Sequence, residues 1–389
     1  MNETPNANRV HIAFFGRTNA GKSSVINAVT GQSLSIVSDV KGTTTDPVQK
    51  AMELLPLGAV VVIDTPGLDD EGELGSLRIE KTYQVMRKTD IAVVVIDGEK
   101  KKADKELVEM LEKRNIPYII AWNKSDIHMP TELSENEIAV SAKDGTNINE
   151  LKNLIASKIK KEEKRIVADL IEENDFVVLV VPIDASAPKG RLILPQQQTI
   201  RDILDSHANT VVCQPSGLKD VLEKLGGLVK LVITDSQAFK SVSPLVPEEI
   251  PLTSFSILFA RLKGDLKQNV EGAMALDTLP DGAKVLISEG CTHHRQCEDI
   301  GTVKLPKWIE SYTGKKINFE WTSGGEFKED ISGYDLIVHC GACMLNEREM
   351  KYRLNTARLE NIPMTNYGIA IAKINGILDR SIAVFGKNL

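Results

Sequence analysis

Two groups of residues in this 389-residue sequence have types and spacings suited to chemistry, and they lie at opposite ends of the chain. Gly16–Ser23 reads G-x-x-x-x-G-K-S. Near the other end, Cys291-Thr292-His293 is followed, after 45 residues, by His339-Cys340-Gly341-Ala342-Cys343. The first pattern is that of a phosphate loop. Gly16 and Gly21 let the backbone wrap so that its N–H groups face phosphates, Lys22 reaches the β- and γ-phosphates, and Ser23 offers a hydroxyl to Mg²⁺. The nucleotide-binding stretch comprises Gly16, Asn19, Ala20, Gly21, Lys22, Ser23 and Ser24.

Four further signals follow in order. Lys41–Pro47 is a Thr-rich loop placed to close over a γ-phosphate, with Thr44 or a neighbour on Mg²⁺. Val60–Gly67 is a buried strand ending in D-x-x-G; Asp64 holds Mg²⁺ through water and the Gly67 N–H meets the γ-phosphate. Asn123, Lys124 and Asp126 form N-K-x-D, in which the Asp126 carboxylate accepts two N–H bonds that guanine has and adenine lacks. Ser141, Ala142 and Lys143 complete the base pocket. The expected substrate is GTP, hydrolysed to GDP and phosphate, with Lys22, Thr44, Asp64 and Gly67 as the catalytic set. This set resembles the TrmE-Era-EngA group of GTPases, in having Leu68 where a Ras-type enzyme has glutamine and Asn19 in the phosphate loop. The resemblance implies that Asn19 helps hold a K⁺ ion, and that slow intrinsic hydrolysis is faster in K⁺ than in Na⁺.

The second group is a soft-metal set. Four of the five cysteines fall in the last hundred residues, which in a reducing compartment points to metal more than to disulfides. Cys340-x-x-Cys343 plus the remote Cys291 supply three thiolates. With a histidine as fourth ligand the site is a closed zinc site; with an open or weak fourth position it is a [4Fe–4S] cluster with one exchangeable iron. His293 and His339 are either that fourth ligand or donors to the ligands. His294 and Cys297 fall outside the pattern.

The elements that position these groups read as α/β throughout. Residues 1–166 form a P-loop GTPase domain, in which "RVHIAFFG", "VVVIDTPG" and "PYIIAW" are buried strands. Residues 167–250 alternate strands and helices without catalytic residues, as expected of a small self-association module. Residues 251–389 hold strands at Ala283–Ser288 and Asp335–His339 and a strand-like piece at Asn361–Gly368. In a parallel sheet the loops after strand C-termini share a crevice, so Cys291 can meet Cys340 and Cys343 across 48 intervening residues.

Composition excludes several alternatives. No apolar run approaches the roughly 18 residues of a membrane span. The start is short and polar, without an apolar leader core, so a cytoplasmic protein is expected. Net charge is −7, and residues 251–389 balance 17 basic against 17 acidic side chains, so no positive field marks a nucleic-acid footprint. That weakens a competing reading, a zinc-stabilised RNA- or ribosome-assembly GTPase. A redox switch using Cys340 and Cys343 alone would need neither Cys291 nor the histidines.

Taken together, the Cys291-x-His293 and His339-Cys340-x-x-Cys343 spacing downstream of this GTPase pattern resembles the HydF family of [FeFe]-hydrogenase maturation GTPases along the whole chain. The resemblance implies three α/β domains: the GTPase domain, a dimerisation domain making a homodimer, and a C-terminal iron–sulfur cluster domain. It also implies a [4Fe–4S] cluster on Cys291, Cys340 and Cys343. The scaffold would receive a di-iron subcluster precursor from the radical-SAM maturases HydE and HydG and pass it to the apo-hydrogenase HydA.

Overall fold

The computed structural model describes residues 4–32, 47–67, 73–159 (backbone only for 73–79), 165–183, 190, 192–290, 299–328 and 330–386. Thr44, Leu68, Cys291, His293, His294 and Cys297 lie outside the described residues. The chain divides into two compact units, Met1–Glu162 and Glu163–Leu389.

The first unit runs β1 (Val10–Phe15), α1 (Lys22–Thr30), β2 (Val48–Leu54), β3 (Gly58–Asp64), α2 (Glu73–Arg87), β4 (Ile91–Asp97), α3 (Lys102–Lys113), β5 (Tyr118–Asn123), β6 (Glu137–Ala139) and α4 (Ile148–Lys158). Its sheet has the order β2-β3-β1-β4-β5-β6. All pairings are parallel except β2 with β3. Strands β1, β4 and β5 are near-continuous aliphatic runs because helices cover both faces, giving one apolar core on each side. The mostly exposed β2, VQKAMEL, lacks that signature and was not foreseen from the sequence.

In the second unit, β7 (Phe176–Val180), α5 (Leu194–Asp205), β8 (Asn209–Cys213), α6 (Leu218–Leu225), β9 (Val229–Thr234), α7 (Phe239–Val242), β10 (Leu252–Ser254) and α8 (Phe255–Lys263) come first. They build a four-stranded parallel sheet of order β10-β9-β7-β8. The sequence boundary at residue 250 falls just before β10, which nevertheless pairs with β9. Next come α9 (Leu266–Met274), β11 (Lys284–Ser288), α10 (Leu305–Thr313), β12 (Asn318–Thr322), β13 (Leu336–His339), α11 (Glu347–Leu359), β14 (Met364–Asn366), α12 (Tyr367–Ile374) and α13 (Leu378–Ile382). The second sheet, β12-β11-β13-β14, is parallel as expected. Its edge strand β12, NFEWT, is another the sequence reading did not place.

One apolar core serves both sheets of this unit. It joins Val178, Val180 and Val232 to Val285, Ile287 and Val338 through Ile369 and Ile371 of α12. α9 lies so close to β14 that a Cβ on Gly272 would meet the Met364 carbonyl oxygen at 2.1 Å, so only glycine fits there.

Candidate functional site

In the first unit the chemistry gathers at the C-terminal ends of β1, β3 and β5. Gly16 ends β1 with φ +147°, and a Cβ there would meet Val95 O at 2.3 Å. Asn19 and Gly21 take left-handed φ values of 63° and 86°. Asn19 is exposed on the loop. Lys22, buried, folds back onto the loop and donates to Gly16 O at 3.1 Å and Arg17 O at 3.0 Å. Ser23 Oγ donates to Asp64 Oδ2 at 2.9 Å, while the buried Asp64 Oδ1 has no hydrogen-bond partner. A hydroxyl and a half-satisfied buried carboxylate at this spacing suit Mg²⁺ with its waters. Gly67 lies against the loop, where a Cβ would meet Thr18 Oγ1 at 2.2 Å. Ser24 follows within the first turn of α1.

The base-pocket residues also converge. Asn123 donates from Nδ2 to Ala20 O at 3.1 Å and accepts from Ala142 N at 3.2 Å, so it ties the phosphate loop to the Ser141–Lys143 loop. Ser141 Oγ donates to Asp126 Oδ1 at 2.9 Å, orienting that carboxylate. The Lys124 ammonium pairs with Asp97, and Lys143 is exposed. Arg17, not singled out in the sequence, fastens the start of the loop: Nε donates to the buried Asp104 at 2.9 Å and Nη2 to Asp97 O at 3.1 Å.

The second group lies at the C-terminal edge of the last sheet. Ser288 of β11 is in register with Thr322 of β12 and His339 of β13, and His339 with Asn366 of β14. Loops leaving β11 and β13 therefore start side by side. The Gly290 N–H donates to Cys340 Sγ at 3.0 Å, and Ala342 N–H lies 3.5 Å from the same sulfur. The residue before Cys291 is thus in contact with Cys340. Backbone N–H groups on sulfur favour the thiolate form, the donor set a soft metal or iron–sulfur cluster requires.

Three buried groups hold the ends of β11 and β13 and the C-x-x-C turn. His339 is fully buried; Nδ1 is 2.8 Å from Cys340 O and Nε2 3.0 Å from Arg353 Nη1. A carbonyl on one side and a guanidinium on the other fix the neutral tautomer with Nδ1–H donating and Nε2 accepting. Burial first, and the Arg353 charge second, push its pKa down to about 3. Both ring nitrogens are engaged within the protein.

Arg353, from α11, is also fully buried. It donates to Glu349 Oε1 (2.9 Å), Ser288 Oγ (3.3 Å) and Gly324 O (2.8 Å), joining the ends of β11 and β13 to the loop after β12. Lys263, the last residue of α8, donates from Nζ to Ala342 O, Cys343 O and Leu345 O at 3.0, 3.1 and 2.9 Å. Burial pulls its ammonium down to about 8, against the opposing fields of Cys343, Cys340 and Glu347. Burial likewise pushes the Cys343 thiol up, with Lys263 offsetting part of the rise.

Residues 166–264 match the family described as the Hydrogen maturase F dimerization domain, and residues 267–384 the Hydrogen maturase F tetramerization domain. The two adjoining matches cover more than half of the chain. The chain belongs to the hydrogen maturase F (HydF) family. Residues 11–124 match a family described as 50S ribosome-binding GTPase, so this HydF chain carries a GTPase domain ahead of the two HydF segments. The HydF division after residue 264 keeps β10 and α8 with the middle sheet, as the strand pairing does.

Among curated proteins, the chain is 31% identical over 194 residues to GTPase Der of Wolinella succinogenes, covering 45% of this chain and 40% of Der. It is 31% identical over 219 residues to tRNA modification GTPase MnmE of Mycoplasma genitalium, covering 55% and 46%. The chain thus spans less than half the length of these curated relatives. A crystal structure of Aquifex aeolicus Era bound to GDP·AlF4⁻ is similar at 19% identity and TM-score 0.36, covering 56% of this chain and 98% of that one. No helix among the described residues is long and apolar enough to cross a membrane.

Proposed function

We propose that this chain is a cytoplasmic GTP-hydrolysing scaffold in [FeFe]-hydrogenase maturation. In this reading Cys291, Cys340 and Cys343 hold a [4Fe–4S] cluster. A di-iron precursor arrives from HydE and HydG and leaves to apo-HydA, and the protein works as a homodimer through the middle sheet. The observation that carries it is the Gly290 N–H on Cys340 Sγ, because it starts the loop that leads to Cys291 against the C-x-x-C turn. Three protein thiolates on a four-iron cluster leave one iron for an exchangeable ligand, which suits a carrier. His339 supports this arrangement as a positioning residue: its ring carries no spare nitrogen, and its Nδ1–H fixes the Cys340 carbonyl.

GTP hydrolysis follows from the first site. Ser23 and Asp64 stand where Mg²⁺ is held, Lys22 where phosphate charge is neutralised, and Asn19 where K⁺ would stand in for an arginine finger. GTP and GDP states change the affinity for a partner maturase or hydrogenase, and nucleotide turnover supplies no energy to cluster chemistry.

Anaerobic purification followed by iron, sulfide and zinc analysis tests the reading. A brown protein with about four irons and four sulfides per chain is expected of a [4Fe–4S] site. Stoichiometric zinc with no iron would favour the RNA- or ribosome-assembly reading, and a metal-free reversible disulfide a redox switch.

A further inference from the structure

Lys263 belongs to the middle sheet's own helix, yet its ammonium lies inside the C-x-x-C turn of the neighbouring segment. It is 4% exposed, and its three N–H bonds are all used, on Ala342 O, Cys343 O and Leu345 O. An ammonium has three donors and no acceptor, so the turn satisfies it geometrically. It does not neutralise it: among the described residues Lys263 forms no salt bridge, and Glu347, whose field favours its charge from farther off, pairs with Lys351. The Phe259 ring, 5.8 Å away, adds a weak cation–π contact. A buried cation held only by carbonyl dipoles is costly unless an anion completes it. The turn that encloses it carries Cys340 and Cys343, whose sulfurs, together with the more distant Glu347, supply the negative field that favours the ammonium.

We propose that Lys263 is a positioning residue that fixes the C-x-x-C turn from the middle segment and sets the redox poise of the iron–sulfur site. This rests on the cluster reading above. A buried positive charge stabilises the more negative, reduced state of a cluster more than its oxidised state, so it raises the reduction potential. The same ammonium orients the Ala342, Cys343 and Leu345 carbonyls and so fixes the backbone that presents Cys343. The middle segment thus supplies a part of the cluster site as well as a surface for assembly.

The test uses the full-length chain, reconstituted anaerobically with iron and sulfide, and compares wild type with Lys263→Met. Iron content, the EPR signal of the reduced cluster and its midpoint potential are read together with thermal unfolding. Lys263→Met is expected to keep wild-type GTP hydrolysis and to bind less iron. The cluster it does hold should shift negative by at least a tenfold change in reduced-to-oxidised ratio, about 59 mV for one electron. A variant that binds iron less well at the wild-type potential makes Lys263 a merely structural prop and overturns the proposal, as does one with both iron content and potential unchanged. Should Lys263→Met fail to fold, Lys263→Arg carries the test. It keeps the charge in altered geometry, so iron content falls while the potential stays within that tenfold limit, and a larger negative shift would overturn the proposal. A wild-type chain that takes up no cluster sinks the cluster reading itself, a failure visible before any variant is made.

Discussion

The Arg353 guanidinium and the His339 ring, fourteen residues apart in the chain, meet at 3.0 Å where neither side chain has any exposed surface. That contact holds the imidazole neutral and points its other nitrogen at Cys340 O. Replacing Arg353 with Met leaves Glu349 buried without its partner and the ends of β11, β12 and β13 untied. The expected cost is about 3–5 kcal/mol, a fall in melting temperature of roughly 10 °C. Thermal unfolding of the second unit's transition, with iron content of the reconstituted protein, checks it.

The two sites draw on different elements, so they separate by mutation. If the chain holds the proposed cluster, Lys22→Ala should abolish GTP hydrolysis and leave the cluster's absorption and EPR spectra as in wild type. Cys340→Ser should do the reverse, with hydrolysis within about twofold of wild type, since the two residues share no element and, among the described residues, no hydrogen-bond partner. Loss of the cluster in Lys22→Ala would break this independence.

Asp126 is aimed by Ser141, and the Asn123 amide locks the neighbouring loop. Asp126→Asn exchanges two charge-assisted acceptors for an amide, at about 1.5–3 kcal/mol per bond. GTP affinity should fall by two or more orders of magnitude while xanthosine triphosphate, whose carbonyl matches the amide N–H, regains binding. Titration of both nucleotides decides it.

Asn19 occupies a left-handed position on the exposed part of the phosphate loop, where asparagine is tolerated. If it helps hold K⁺, hydrolysis in wild type is faster in KCl than in NaCl, and Asn19→Ala removes the difference. Equal rates of the wild type in both salts would exclude a K⁺ role.

Glu137 starts β6, beside the base-pocket loop, and accepts from Lys100 at 3.0 Å and the Trp122 indole at 3.3 Å. Burial pushes its carboxyl up, but Lys100, Trp122 and Ser134 together outweigh that and leave it below its ordinary value of 4.5. A depressed carboxylate stabilises above its unfolded pKa, and the gain is lost as pH falls through the folded value. Glu137→Gln should therefore cost about 1 kcal/mol at pH 7, allowing for partial solvent screening. The gap between variant and wild type should close as pH falls below the ordinary carboxyl value of 4.5 and through the lowered folded one, as urea titrations at several pH values would show.

The phosphate loop, D-x-x-G and N-K-x-D were legible because each is a short local device whose residue types follow from backbone reach and base edges. The convergence of Cys340 with the loop after β11 was legible for a topological reason: parallel strands deliver their following loops to one edge. Lys263 and Arg353 were not. In sequence, "ARLKG" reads as the basic end of an amphipathic helix, and "MKYRLN" as a charged helix face. Their partners lie as far as 82 residues away, so only the assembled fold distinguishes a buried cation from a solvated one. Strands β2 and β12 escaped for the opposite reason: as sheet edges they carry too little apolar alternation to stand out.

The family labels for residues 166–264 and 267–384 suggest two parts that could be lent to other proteins separately. The interior that Val178 and Val232 share with Ile287 and Val338 makes that unworkable. A chain severed between α8 and α9 would present each half with a raw greasy wall, and the C-terminal half would also lose the lysine around which its cysteine turn is folded. The half that bears the cysteines inherits its shape from the half that matches the dimerization family, so swapping either one between relatives would mean carrying over its counterpart too.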